Sequence, residues 1–180
     1  MSASQIPPIL TNLTTGMLVG ERIAESRRTV GDLVGYWSDP EAARQGGDAL
    51  LYGTQTWMPA EDGVEGAILW GNTVLMPGSV GGEFFMTRGH WHEKLDRCEM
   101  CVTVSGSGLL VLMDESRNTW VEQMSPGSTH YVPGNLAHRT VNTGDEPLVF
   151  MCAWPADCGH NYGSILELGF GRRFFVGDQF

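Results

Sequence analysis

Residues 87–99 read TRGHWHEKLDRCE, and the reading turns on His90, His92 and Glu99 within them. Successive side chains of a β-strand alternate faces, so two histidines separated by one residue share one face of a single strand. A helix would need i,i+4 spacing to achieve the same. Working outward, His138 follows thirty-nine residues after Glu99. Three imidazoles and a carboxylate are the donor set of a divalent ion such as Fe(II), Mn(II), Ni(II) or Zn(II). The pattern predicts one divalent metal ion held on a sheet.

The surrounding chain reads as strands and turns. Ala49–Trp57, Ala67–Met76, Glu83–His92, Cys98–Ser105, Leu109–Met113, Thr119–Met124, Thr129–Val132, His138–Asn142 and Leu148–Trp154 are the expected strands. Pro77-Gly78, Gly106-Ser107-Gly108, Pro126-Gly127 and Pro133-Gly134 punctuate them. Short strands at roughly ten-residue intervals predict an all-β jelly roll or small barrel. Residues 1–20 are read as an arm or edge strand. Arg22 to Gly46 reads as helical turns, with Asp39 as an N-cap, Pro40 at the first helical position and Gly46-Gly47 as the stop. These two stretches make residues 1–48 an extension packed on a barrel of residues 49–180, together one domain.

Composition narrows the function. The 180 residues are 42% hydrophobic and 18% charged, as in an ordinary globular protein. A net charge of −10 argues against nucleic acid and anionic membranes, which select basic surfaces. No run reaches the roughly 18 apolar residues of a membrane span, and no basic, then apolar, leader opens the chain, so a cytoplasmic location is expected. Cys98 and Cys101 match C-x-x-C, but on a strand they point to opposite faces, and four cysteines do not make a disulfide framework here. Lys94 is the only lysine, in a polar loop, which makes Schiff-base chemistry improbable. His130 lies outside any motif position and is read as structural.

Gly89-His90-Trp91-His92, Glu99 and Gly106 resemble the first cupin motif, and Gly127-x5-Pro133 with His138 and Asn142 resembles the second. More narrowly, TVLMPGSVGGEFFMTRGHWHEKLDRCE (73–99), YVPGNLAHRTVNTGDEPLVF (131–150), PADCGHNYGSILELGF (155–170) and VGDLVGYWSDPEA (30–42) resemble the cupin-type phosphoglucose isomerases of archaea and some bacteria. The resemblance runs from about residue 15 to about residue 175. It implies a cupin double-stranded β-helix, a homodimer, and metal-dependent interconversion of glucose 6-phosphate and fructose 6-phosphate.

Carried over residue by residue, the resemblance makes His90, His92, Glu99 and His138 the metal ligands, with Glu99 and His160 as catalytic candidates. Thr73, Thr87, Gly89 and Tyr162 would bind an anionic sugar, with Arg88, Cys101 and Trp154 in the same pocket. Compensation for the substrate's charge is expected from the metal, Arg88, Lys94, Arg97, His138 and His160. Thr54, Cys101 and Trp154 stand where better-known members of that family have tyrosines, which leaves another anionic sugar, such as a sulfonated hexose, open as the substrate. A cupin oxygenase using Fe(II) and a non-catalytic sugar-binding cupin are the remaining readings.

Overall fold

The computed structural model describes residues 7–180. The part of the predicted arm at residues 1–6 lies outside the described residues. In chain order the elements are β1 (Leu10–Thr11), β2 (Leu18–Val19), β3 (Ile23–Thr29), a 3-10 stretch Gly31–Tyr36, α1 (Pro40–Gly46), β4 (Leu50–Trp57), β5 (Ile68–Leu75), β6 (Ser79–Val80) and β7 (Glu83–Phe84). Then come β8 (Glu99–Ser105), β9 (Gly108–Met113), β10 (Thr119–Met124), β11 (Thr129–Val132), β12 (Ala137–Asn142), β13 (Leu148–Pro155) and α2 (Gly163–Leu168).

Two antiparallel sheets carry the fold. One has six strands in the order β11-β8-β13-β5-β4-β3, and the other has three, β10-β9-β12. Residues 85–91 add a broken fourth strand to the smaller sheet through bridges Met86 to Val141 and His90 to His138. This is the cupin double-stranded β-helix. Its core is packed with Leu51, Leu75, Leu109, Leu110, Val111 and Leu148, each at most 1% exposed. A Leu→Ala change at such a site costs about 2–5 kcal/mol.

Two local expectations are corrected. Ile23–Thr29 is a strand, not helical turns. Its residues IAESRRT are mostly exposed, so no period-2 alternation announces it; pairing with β4 from Ile23↔Trp57 to Arg28↔Tyr52 makes it. The expected strand Glu83–His92 is interrupted, because Gly89 takes φ +74°, outside strand geometry. Beyond β3 the helical reading holds: the Asp39 carboxylate accepts from Glu41 N at 3.1 Å and Ala42 N at 2.9 Å, and α1 starts at Pro40.

Side-chain ties fix the extensions to the barrel. Gln55 accepts from Leu18 N at 2.8 Å, and Asn72 donates to Gly16 O at 2.6 Å. Buried Glu83 accepts from Ser38 N at 2.8 Å and Arg173 Nη1 at 2.8 Å, pinning the C-terminal segment. His130, also buried, sits between Glu122 (2.7 Å) and Ser128 (2.8 Å), which ties β11 to β10. Among the described residues no helix is long and apolar enough to cross a membrane.

Candidate metal centre and substrate cavity

The interrupted strand builds the metal centre. After the Gly89 kink, His90 N donates to His138 O (3.1 Å) and His138 N donates to His90 O (3.0 Å), so backbone alone sets these two side chains opposite each other. His92 follows two residues on, and Glu99, first residue of β8, reaches in from the six-stranded sheet. Ligand atoms of His90, His92, Glu99 and His138 all lie within 4.8 Å of one another. Glu99 Oε2 is 3.6 Å from His92 Nε2 and 3.5 Å from His138 Nε2.

The donors fit a metal ion. Among the described residues, His90 Nε2, His92 Nε2 and His138 Nε2 are buried without a hydrogen-bond partner. Buried polar atoms are ordinarily paired, so three unpartnered imidazole nitrogens converging on one carboxylate mark a place for a cation. His92 Nδ1 lies 2.9 Å from Arg97 O. Donation to that carbonyl leaves Nε2 as the lone pair facing the cluster, an orientation device typical of metal-ligating histidines.

Charge state follows burial and contacts. Burial holds the His90 imidazolium well below the ordinary histidine range, helped by His138 and His160. Burial would also raise the Glu99 carboxyl, but the His138 and His92 imidazoles beside it hold it well below normal, keeping a carboxylate at neutral pH. His92 is raised: burial opposes its protonation, and Glu99 and the Arg97 carbonyl outweigh burial.

Beside the cluster opens a cavity of about 310 Å³, the size of a small-metabolite site. Of the candidate metal-ligating, catalytic and substrate-binding residues, all line it except His92, which sits in the ligand cluster: Thr73, Thr87, Arg88, Gly89, His90, Glu99, Cys101, His138, Trp154, His160 and Tyr162. Strand register explains the convergence. Thr54 pairs with Thr73, Cys101 with Cys152, and Cys152 with Gly71, so alternate residues of β4, β5, β13 and β8 share one inward face. Gly71 leaves room for the Trp154 indole, whose ring carbon lies 2.9 Å from where a Cβ would stand.

His160 is exposed at the rim, its ring 4.5 Å from that of His90 and stacked parallel to Tyr162. The Arg88 guanidinium lies 3.5 Å above the Tyr162 ring, a cation–π contact. Although the residue is exposed, its ring is partly desolvated against the cluster, which with the neighbouring His92 lowers His160 and favours the neutral imidazole.

One expectation fails. Lys94 and Arg97 do not line the cavity; both bind Asp157, at 2.7 Å and 2.8 Å, and brace the loop that carries the carbonyl under His92. The sequence reading also missed Ser26, Arg28, Tyr52, Thr56, Arg139, Thr140, Phe150 and Cys152, all lining the cavity. Arg139 is 5% exposed, and burial lowers its guanidinium to about 9. No motif points to these residues; only the pairing of strands distant in sequence brings them in.

Six- and three-stranded sheets closed around three histidines and a glutamate define a cupin with a candidate metal centre. The family model of glucose-6-phosphate isomerase (GPI) matches residues 27–178. The chain belongs to the glucose-6-phosphate isomerase family. The glucose-6-phosphate isomerase of Thermococcus litoralis is 40% identical over 161 residues, 88% of this chain and 83% of that protein. That of Pyrococcus furiosus is 40% identical over 91% of this chain and 86% of its own length. A bacterial relative of the same name, from Sinorhizobium medicae, is 33% identical over 93% of this chain and 78% of its own. Among solved structures, oxalate decarboxylase from Bacillus subtilis is a distant likeness, with a TM-score of 0.46 and 21% identity over 61% of this chain and 26% of that one.

Proposed function

We propose that this protein interconverts glucose 6-phosphate and fructose 6-phosphate as a cytoplasmic homodimer, with one divalent ion (Fe, Mn, Ni or Zn) per subunit on His90, His92, Glu99 and His138. The observation that carries the reading is the set of unpartnered imidazole nitrogens opening onto a cavity lined by guanidinium and hydroxyl groups. Arg28, Arg88 and Arg139 all line that cavity, in a chain whose net charge is −10. Clustered cations inside an acidic protein favour an anionic ligand.

In this reading Thr73, Thr87, Arg88 and the Gly89 N–H grip the phosphate through charge-assisted hydrogen bonds. A divalent ion held by His90, His92, Glu99 and His138 would supply Lewis acidity toward the sugar's carbonyl. Glu99 carries the proton. Its Oε2 faces the histidines, and its Oε1 accepts the Cys101 S–H at 3.3 Å on the cavity side. Glu99 takes the C2 proton on an enediol path, or shuttles the hydroxyl proton if hydrogen moves as hydride. Neutral His160 at the rim receives and returns a proton during ring opening, with Tyr162 beside it. Trp154 and Cys101 close the wall of the six-stranded sheet around the sugar.

The test is to strip the metal, reload Fe(II), Mn(II), Ni(II) or Zn(II) singly, and assay fructose 6-phosphate with a coupled dehydrogenase, a sulfonated fructose in parallel. Turnover of the phosphate ester with at least one ion is expected. Turnover of the sulfonate alone reassigns the substrate, and no turnover of either with any ion refutes the isomerase reading. Gel filtration with light scattering reads the dimer.

A further inference from the structure

Cys101 and Cys152 stand directly opposite each other on β8 and β13, and both line the cavity. Their sulfurs are 2.7 Å apart, and the side chains are 2% and 7% exposed. A disulfide needs the sulfurs at about 2.05 Å and the two Cβ atoms facing each other, which directly paired residues of adjacent strands provide. The 2.7 Å contact is closer than the packing of two thiols requires. The Cys101 S–H also donates to Glu99 Oε1 at 3.3 Å, so the pair touches a proposed metal ligand.

We propose that Cys101 and Cys152 form an oxidisable dithiol in the wall of the substrate cavity, closing to a disulfide under a peroxide and weakening metal binding by removing the hydrogen bond on Glu99. Peroxide reaches the pair through the cavity. One thiol sulfur attacks the peroxide: an S–O bond forms, the O–O bond breaks, and one water leaves as the thiol becomes a sulfenic acid. The sulfur of the second thiol then displaces that hydroxyl, forming the S–S bond and releasing a second water. Two electrons pass from sulfur to peroxide, and both thiol protons end in water. The disulfide has no S–H, so Glu99 Oε1 loses its donor. Losing a partner that orients a metal-ligating group costs roughly 10–100-fold in metal affinity, and about tenfold is expected here.

The native protein is treated with hydrogen peroxide for hours, digested, and mapped by mass spectrometry. The expected result is a loss of two hydrogens per chain in a linked peptide pair containing Cys101 and Cys152, reversed by dithiothreitol. Cys152→Ala abolishes the loss and Cys98→Ser keeps it. If Cys152→Ala does not fold, the peptide map of the native chain decides alone. Free thiols after treatment, oxygen addition without linkage, or a link to Cys98 or Cys158 would each overturn the proposal. The second arm, which rests on Glu99 being a metal ligand, titrates Mn(II) into reduced and oxidised metal-free protein. A linked but equally avid protein refutes the coupling and leaves the dithiol standing; failure to bind Mn(II) in either state refutes the ligand assignment.

Discussion

Replacing Gly89 by alanine probes the kink that makes the metal centre. Gly89 adopts φ +74°, and an added Cβ would stand 2.7 Å from the Phe170 ring and 3.0 Å from Arg139 Cβ and Nε. The left-handed backbone costs a non-glycine residue about 1–2 kcal/mol. Crowding a packed site costs about 1–3 kcal/mol more. The sum, about 2–5 kcal/mol, is a large share of the roughly 5–15 kcal/mol that holds a domain folded. At about 2–4 °C per kcal/mol for a chain of this length, a 3 kcal/mol loss lowers the melting temperature by about 6–12 °C.

Gly127 supplies the control. It too has positive φ (+86°), but among the described residues nothing lies within 4 Å of its missing Cβ. Gly127→Ala therefore meets the backbone cost without the crowding, and it leaves metal affinity untouched. Both variants are compared with wild type by scanning calorimetry in the presence of chelator, then by Mn(II) titration. Gly89→Ala should lose about 1–3 kcal/mol more than Gly127→Ala and bind Mn(II) more weakly, because His90 hangs on the displaced backbone. Equal destabilisation of the two variants with unchanged Mn(II) affinity would refute the reasoning.

Removing the metal with a chelator should abolish turnover and lower the melting temperature, and restoring an ion to a hundredfold above its Kd should return about 2.7 kcal/mol of stability, read by calorimetry. Arg88→Ala should raise KM for the phosphate ester by about tenfold or more while changing kcat less, since a hydrogen bond to a charged group contributes about 1.5–3 kcal/mol, and steady-state kinetics separates the two. Asp157, whose carboxyl is pulled below its ordinary 3.8 by Arg97 and Lys94, contributes stability that is present above that value and lost as pH falls through the depressed folded one. The stability gap between wild type and Asp157→Asn should therefore hold steady down to about pH 5 and shrink in stronger acid, as urea unfolding at each pH would show. Asp157→Asn should also weaken Mn(II) binding, because the loop that presents the Arg97 carbonyl to His92 loses its brace.

What could be read from the chain divides along physical lines. His90, His92, Glu99 and His138 were legible because ligand chemistry demands particular residue types and strand geometry demands their spacing. Asp39-Pro40 was legible as a helix start because capping is local. Strand β3 was not, since its exposed residues carry no alternation and its structure comes from pairing with β4. The break at Gly89 was hidden because glycine permits a kink without announcing one. Lys94 and Arg97 looked like free cations until Asp157, sixty residues further on, was folded against them. Cys152 and Arg139 entered the cavity only through register, which one strand's sequence does not contain.

The two walls of the cavity divide the labour. His90 and His138 hang from the smaller sheet and its bridged segment, joined by reciprocal backbone hydrogen bonds, and His92 follows just beyond. Thr54, Thr73, Cys101 and Trp154 belong to the larger sheet, which contributes only Glu99 to the ligand set. For protein engineering this is a modular scaffold. Side chains on β4, β5 and β13 can be exchanged to reshape the wall around the sugar while the three imidazoles stay in register, whereas Thr87, Arg88 and Gly89 share the backbone of His90 and cannot be varied independently of the metal site.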